Sequence, residues 1–429
     1  FLTVNDITGP QTYTPSRITN FEKLSVTNVD ATPDAVTVDA NLMGLTSIEN
    51  SASSAGVVVS NVAAGATLAV SGASGATTLT VKGAGLTGLE DTANITLTGA
   101  SGAVNYNSST AQDIEKAAVT VVGANTSALT IQDSGSTVAL TTVTVTGSGS
   151  WDMETGGKVD DALKILDASA NTGGVTFTGT VATGVTLTGG AGNDTLTGAA
   201  GNDVVKGGEG DDTLTMGASG VDNFDGGAGN DTITVTGLTS DDSITGGDGI
   251  DTLAIGAAIA YDDEAVPTAI DDAINISGFE LLRNTAVITQ DMAAFTGMVG
   301  IQSTVGVFTA TEASGIADYF ALANNTGLDI TLATDGTADN LNIHMGNAVA
   351  QTNSTGVTID AIEIETALIA SGGADSSTIT DFEADALTAL TITGSKSIAV
   401  TLNDSAAVTT LPLTKVDASA FTGSSLTVT

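Results

Sequence analysis

Apolar and polar residues alternate in short bursts along most of this chain, and each burst ends on a turn residue. LAVSGA from Leu68, LTVKGA from Leu79, ITLTGA from Ile95 and VTVVGA from Val119 set the pattern. LTIQDS from Leu129, VTVTGS from Val143, VTFTGT from Val175 and VTLTGG from Val185 continue it. A two-residue period predicts strands buried on one face, with Gly, Asp or Ser closing each. The spacing is irregular, about 10 to 30 residues. The expected fold is all-β: a parallel β-solenoid with loop insertions, with an array of β-sandwiches as the competing architecture. Residues 1–60 read as an N-terminal β module, 61–188 as the solenoid, 189–256 as a tighter roll and 257–429 as further β-rich modules. Three stretches predict short helices. They are SSTAQDIEKAA, with Ser109 and Gln112 placed as a capping box, EAVPTAIDDAI from Glu264, and EASGIADYFALA from Glu312.

At Gly189 the period changes to nine. GGAGNDTLT, GAAGNDVVK and GGEGDDTLT follow one another, then Met216, GASGVDNFD and GGAGNDTIT. Val235 and Thr236 precede GLTSDDSIT, and GGDGIDTLA closes the series at Ala254. All seven units carry Asp in the sixth place: Asp194, Asp203, Asp212, Asp222, Asp231, Asp242 and Asp251. All seven carry an apolar residue in the eighth: Leu196, Val205, Leu214, Phe224, Ile233, Ile244 and Leu253. A Gly/Asp-rich linker would not hold two such registers together.

Glycine tolerates positive φ, so the first six residues of a unit can reverse the chain and expose carbonyls. The last three form a short strand whose middle side chain points inward. Two units make one coil, so the motifs alternate between two edges. One edge receives the units at Gly189, Gly207, Gly226 and Gly246, all beginning Gly-Gly; the other receives those at Gly198, Gly217 and Gly237, which lack the second Gly. This predicts one strong and one weaker ladder of ions. Coils stack at about 4.8 Å, and calcium takes oxygens at about 2.3–2.6 Å, so it fits between aspartates on adjacent same-edge turns. Without an ion, two carboxylates at that spacing repel by roughly 3 kcal/mol at an effective dielectric near 20. Calcium is therefore expected to fold the roll. The predicted ligands are Gly190, Gly192 and Asp194; Gly201 and Asp203; Gly208, Gly210 and Asp212; Gly220 and Asp222; Gly227, Gly229 and Asp231; Asp242; and Gly247, Gly249 and Asp251.

Charge points the same way. The 429 residues hold 49 acids against 10 basic residues, a formal net charge of −39. That balance argues against nucleic acid, which is bound through Lys and Arg on phosphate, and against unaided adsorption to anionic lipid. It suits a chain bathed in divalent cations. Aromatics make up 3% of residues, so the core is expected to be thin and β-branched rather than bulky. Cysteine is absent, which removes disulfides and thiolate metal sites. No apolar run is long enough to span a bilayer, so no direct membrane insertion is expected. No signal peptide is legible in FLTVNDITGP, and both ends read as cuts.

Vocabulary repeats on both sides of the roll. ITNFEKL from Ile18, ISGFELL from Ile276 and ITDFEAD from Ile379 echo one another, as do LDASANTGGVTFT from Leu166 and VDASAFTGSSLTVT from Val416. In each Phe-Glu pair the ring (Phe21, Phe279, Phe382) is expected to pack inward and the acid to face outward. The run Asp262, Asp263 and Glu264 reads as a solvated loop, a cap on the last coil, or a further ion site. Enzyme chemistry is not legible. The single histidine, His344, excludes an HExxH zinc site, and there is no GxSxG elbow. A triad built on His344 stays open, but a structural strand histidine is the plainer reading. Trp151 reads as a loop anchor. The pairs Asp160/Asp161 and Asp271/Asp272 read as solvated or calcium-bound carboxylates.

The nonapeptides from Gly189 to Ala254 resemble the calcium-binding G-G-x-G-x-D-x-U-x repeats of RTX proteins. Together with GFELLRNTA from Gly278 and the stretch from Leu390 to Gly423, the chain resembles the RTX-type S-layer proteins of alphaproteobacteria, the Caulobacter-type family. The resemblance implies type I secretion and a calcium-dependent two-dimensional lattice of copies of itself at the cell surface. It also implies attachment to lipopolysaccharide or other surface polysaccharide through a separate part. An RTX adhesin is the second reading, and the non-catalytic tail of a secreted hydrolase the third.

Overall fold

The computed structural model describes residues 2–6, 11–13, 20–29, 35–41, 43–82, 91–109, 114–126, 129–132, 140–153, 163–178, 184–217, 219–239, 241–259, 275–293, 295, 297–313, 316–324, 326–333, 339–346, 354–372, 376–403 and 412–429. Among them every regular element is a strand. The chain divides into two compact units, Phe1–Gly229 and Asn230–Thr429.

In the first unit each strand pairs in parallel with the next but one. Leu2–Asp6, Lys23–Asn28, Ser47–Ser51, Thr67–Ser71, Thr92–Thr98, Lys116–Val122, Thr142–Gly147, Ile165–Asn171, Thr186–Thr188, Val204–Glu209 and Asn223–Ala228 stack in that order. The intervening strands make a second stack from Gln11–Tyr13 to Leu129–Gln132, and a third from Trp151–Asp152 through Val175–Phe177 and Thr195–Thr197 to Thr213–Thr215. The second unit is built likewise. One sheet runs through Thr232–Val235, Thr252–Ile255, Leu281–Asn284, Gly300–Ser303, Asp318–Ala321, Asn340–Met345, Thr366–Ser371, Ala389–Gly394 and Lys415–Asp417. Another runs from Ile288–Asp291 to Leu426–Val428, and Ser243–Asp248 pairs with Ile276–Ser277. Each unit is a parallel β-solenoid, and the sandwich alternative is excluded because every strand pairing among the described residues is parallel.

The two-residue period explains the core. In Lys23–Asn28 and Thr92–Thr98 every second side chain is buried. Leu, Ile and Val fill most of these positions, while Trp151, Tyr106, Phe177 and Phe224 in the first unit, and Tyr319, Phe308 and Phe382 in the second, are the largest fully buried side chains. The Tyr106 hydroxyl donates to the Ala66 carbonyl at 3.0 Å, which meets the need of a buried phenol for a partner.

Several sequence expectations need correction. The helix from Glu312 is instead two strands, Val307–Ala313 and Asp318–Ala321. Tyr319 and Ala321 point inward and are fully buried, a period of two. Pairing with both Gly300–Ser303 and Asn340–Met345 outweighs a local helical preference that is small per residue. The end of SSTAQDIEKAA is likewise a strand, Lys116–Val122; Thr110–Asp113 lie outside the described residues, as do Glu264–Ile274 and Asp262 and Asp263. Trp151 sits within a strand and pairs with Val175, so it is a core residue rather than a loop anchor. Of the Phe-Glu pairs, Phe279 and Phe382 are buried, whereas Phe21 is half-buried.

Candidate calcium-binding turns

The nonapeptide turns inherit their geometry from the alternation of the strands. Counting back two from the buried eighth residue reaches the sixth, so Asp and apolar residue share the inward face. All seven aspartates are at most 2% exposed, and the seven apolar partners are fully buried. Burial of a carboxylate is costly unless it is bonded or paired.

Backbone amides meet part of that cost. Asp194 accepts from the Val175 N–H through Oδ1 at 2.6 Å and from the Gly190 N–H through Oδ2 at 2.7 Å. Asp203 repeats this with Val185 at 2.8 Å and Ala199 at 2.7 Å. From coil to coil, the Asp194 N–H donates to Asp212 Oδ1 and the Asp203 N–H to Asp222 Oδ1, at 2.7 and 2.9 Å. In the second unit the Asp231 N–H donates to Asp251 Oδ1 at 2.8 Å, and Asp242 Oδ2 accepts from the Thr239 N–H at 2.6 Å. The first glycine of the unit follows from this folding-back. A Cβ at Gly189 or Gly207 would lie 2.2 Å from Oδ2 of its own Asp194 or Asp212.

The second residue of a repeat sets the local backbone. Gly208, Gly227 and Gly247 hold φ between 110° and 125°, and a Cβ at Gly208 would meet the Gly190 carbonyl at 2.2 Å. Only glycine combines that φ with that approach. Positive φ also holds at Gly201, Gly210, Gly220, Gly229 and Gly249. Gly190 and Gly192 do not share it, and pack instead against the Asn171 carbonyl and the Gly173 backbone. Among the repeats that begin Gly-Gly, Oδ2 of Asp212 in the first unit and of Asp231 and Asp251 in the second are buried and take part in no hydrogen bond, although each residue is bonded through other atoms, whereas Oδ2 of Asp194 accepts from the Gly190 N–H. Among the other repeats Oδ2 of Asp203 and Asp242 is satisfied by a backbone amide.

Neighbouring turns show what the aspartates lack. In the coils before the repeats, Asn125 Nδ2 donates to the carbonyls of Gly123 at 2.8 Å, Val122 at 3.3 Å and Ser150 at 3.4 Å. Asn171 Nδ2 donates to those of Gly147 and Gly149. An ionised aspartate brings acceptors only, so carbonyls gathered at its turn need a cation rather than an amide. No group of three acidic or imidazole side chains converges among the described residues. The oxygen donors are therefore one carboxylate per turn plus backbone carbonyls, a set that suits calcium. When bound, calcium would supply charge neutralisation and extra oxygen coordination at these turns.

One acid of the ladder escaped the sequence reading. The Asp251 N–H donates to Glu280 Oε2 at 2.8 Å, so the acid expected to face outward closes the Gly-Gly edge. A signal for it was present: Glu280, any residue, then buried Leu282 repeats the acid-x-apolar order, and Leu282 pairs with Leu253.

Burial raises the carboxyls of Asp194 and Asp203 above the usual range, opposed by their amide bonds. Burial, aided by the charges of Asp231, Glu280 and Asp248, pushes Asp251 up to about 6. An unfolded aspartate titrates near about 3.9. The metal-free fold thus holds this proton more tightly than the unfolded chain. That contribution to stability is complete below about pH 4 and is lost as pH rises through about 6. Calcium competes for the same oxygens, so its affinity is expected to fall as pH drops through about 6. Calcium titrations at about pH 5 and about pH 7.5 check this, and equal affinities would contradict it.

Residues 186–214 and 216–253 match the family described as the RTX calcium-binding nonapeptide repeat (4 copies). The chain therefore carries RTX repeats, which bind calcium and are typical of secreted proteins. No curated protein matches the chain.

Proposed function

We propose that this chain is the lattice-forming region of a secreted S-layer protein, with other copies of itself as its partner and calcium as the assembly signal. The observation that carries the reading is the series of buried aspartates in the repeats, of which Asp212, Asp231 and Asp251 keep an Oδ2 that accepts no hydrogen bond, and in this reading a divalent ion is needed to fold them. Low cytosolic calcium leaves such a stretch unfolded for export, and millimolar calcium outside folds it. The chain is structural and carries no catalytic role in this reading. Parallel sheets with rows of Thr on their outer faces, such as Thr120 against Thr146 at 3.1 Å, provide flat surfaces for lateral contact. At a net charge of −39 copies repel until cations neutralise them. Negative-stain imaging in millimolar calcium is expected to show ordered sheets that disperse on chelation. Isolated rods would replace this reading with the adhesin.

A further inference from the structure

One row on the outer face of the second unit stands apart from the acidic surface. Arg283, Gln302, Phe320 and His344 are register partners on four successive strands. They line one groove of about 410 Å³ that continues past Ala370 and Ser371, within the range of small-molecule sites. The Phe320 and His344 rings stack at 4.4 Å and 11°. His344 Nε2 lies 2.9 Å from Asp318 Oδ1, which fixes the imidazole.

The hydrogen bonding at one end of the groove is incomplete in a particular sense. Arg283 Nε donates to Gln302 Oε1 at 2.7 Å, and among the described residues no acid pairs with this guanidinium. Burial alone lowers its pKa, with no carboxylate opposing the shift. Gln302 is 9% exposed. Because its Oε1 is taken by arginine, its Nε2 amide must turn away, and among the described residues that amide makes no hydrogen bond. Among the described residues the amide and the two terminal guanidinium nitrogens thus donate no hydrogen bond. In a chain with 49 acids and 10 basic residues, a half-buried cation without a carboxylate is unusual, and it is costly while it stays unpaired.

We propose that this groove binds a carboxylate-bearing ring ligand, of the size and chemistry of a sugar acid, with its carboxylate on Arg283 and Gln302 and its ring along the Phe320–His344 wall. A planar carboxylate matches the guanidinium fork in two parallel bonds. A multiply charged anion would meet the same acidic field with only one cation to offset it.

Binding to the calcium-loaded chain tests this, read by calorimetry and ligand-observed NMR. The probes are glucuronate and galacturonate, with glucose and inorganic phosphate as controls. Both uronates are expected to bind, and both controls to bind at least about tenfold more weakly. Arg283→Gln is expected to weaken the uronates by at least about tenfold. Gln302→Glu gives the arginine an internal carboxylate and should abolish binding, with circular dichroism unchanged in both variants. The proposal is overturned if glucose or phosphate matches the uronates, or if the variants bind like the parent. It is equally overturned if the uronates do not bind while Arg283→Gln weakens calcium-dependent self-association, since the groove would then receive an acidic side chain of another copy.

Discussion

Chelating calcium is expected to unwind residues 189–254 and to abolish any ordered assembly. The reason is the number of buried anions. Asp194, Asp203 and Asp251 sit with carboxyls pushed up by burial, and Oδ2 of Asp251 accepts no hydrogen bond. Backbone amides satisfy both oxygens of Asp194 and Asp203 but only Oδ1 of Asp251, so the unmet demand falls on a cation at turns such as that of Asp251. Removing it leaves like charges on successive coils at about 4.8 Å, each pair repelling by roughly 3 kcal/mol at an effective dielectric near 20. Ion binding that occurs only in the folded state contributes its free energy to folding. Hydrogen exchange should show protection of this stretch lost in chelator and restored by calcium. Unchanged protection would mean that the backbone amides alone hold the turns.

Phe224→Ala is expected to cost about 3–5 kcal/mol, measured by denaturant unfolding in saturating calcium. This ring takes the eighth place of its unit, where the other six units carry Leu, Ile or Val. It is fully buried, and a Cβ added at Gly198 would lie 2.9 Å from its Cζ. The ring therefore fills a space that exists because the first residue of another unit is glycine. Truncation leaves a cavity between stacked coils whose backbones are tied by the parallel ladder from Val204–Glu209 to Asn223–Ala228 and cannot collapse inward. A loss below about 1 kcal/mol would show that the coils close over the gap.

The aspartate register was legible because two constraints repeat in step. A buried residue must recur every second position in a strand, and the calcium turn fixes how far the acid stands from it. Even the inequality of the two edges could be read from Ala199 and Leu238 standing where Gly208, Gly227 and Gly247 need positive φ. Tyr319 and Phe320 were misread because a short apolar run with small residues suits helix and strand alike. Its partners lie about twenty residues away on either side. Glu280 was missed because the turn before it is not a nonapeptide, though its carboxylate accepts the amide bond that an aspartate would.

The chain by itself determined its class of fold, the inward face of its strands and the seven acids that stand buried at the repeat turns, because each is a matter of local period and residue chemistry. Tertiary structure alone decided which carboxylate oxygens are spent on amides, where the ladder closes, and that Arg283, Gln302, Phe320 and His344 share one groove. Those outcomes depend on the stacking of parallel coils, which brings together residues far apart in the chain.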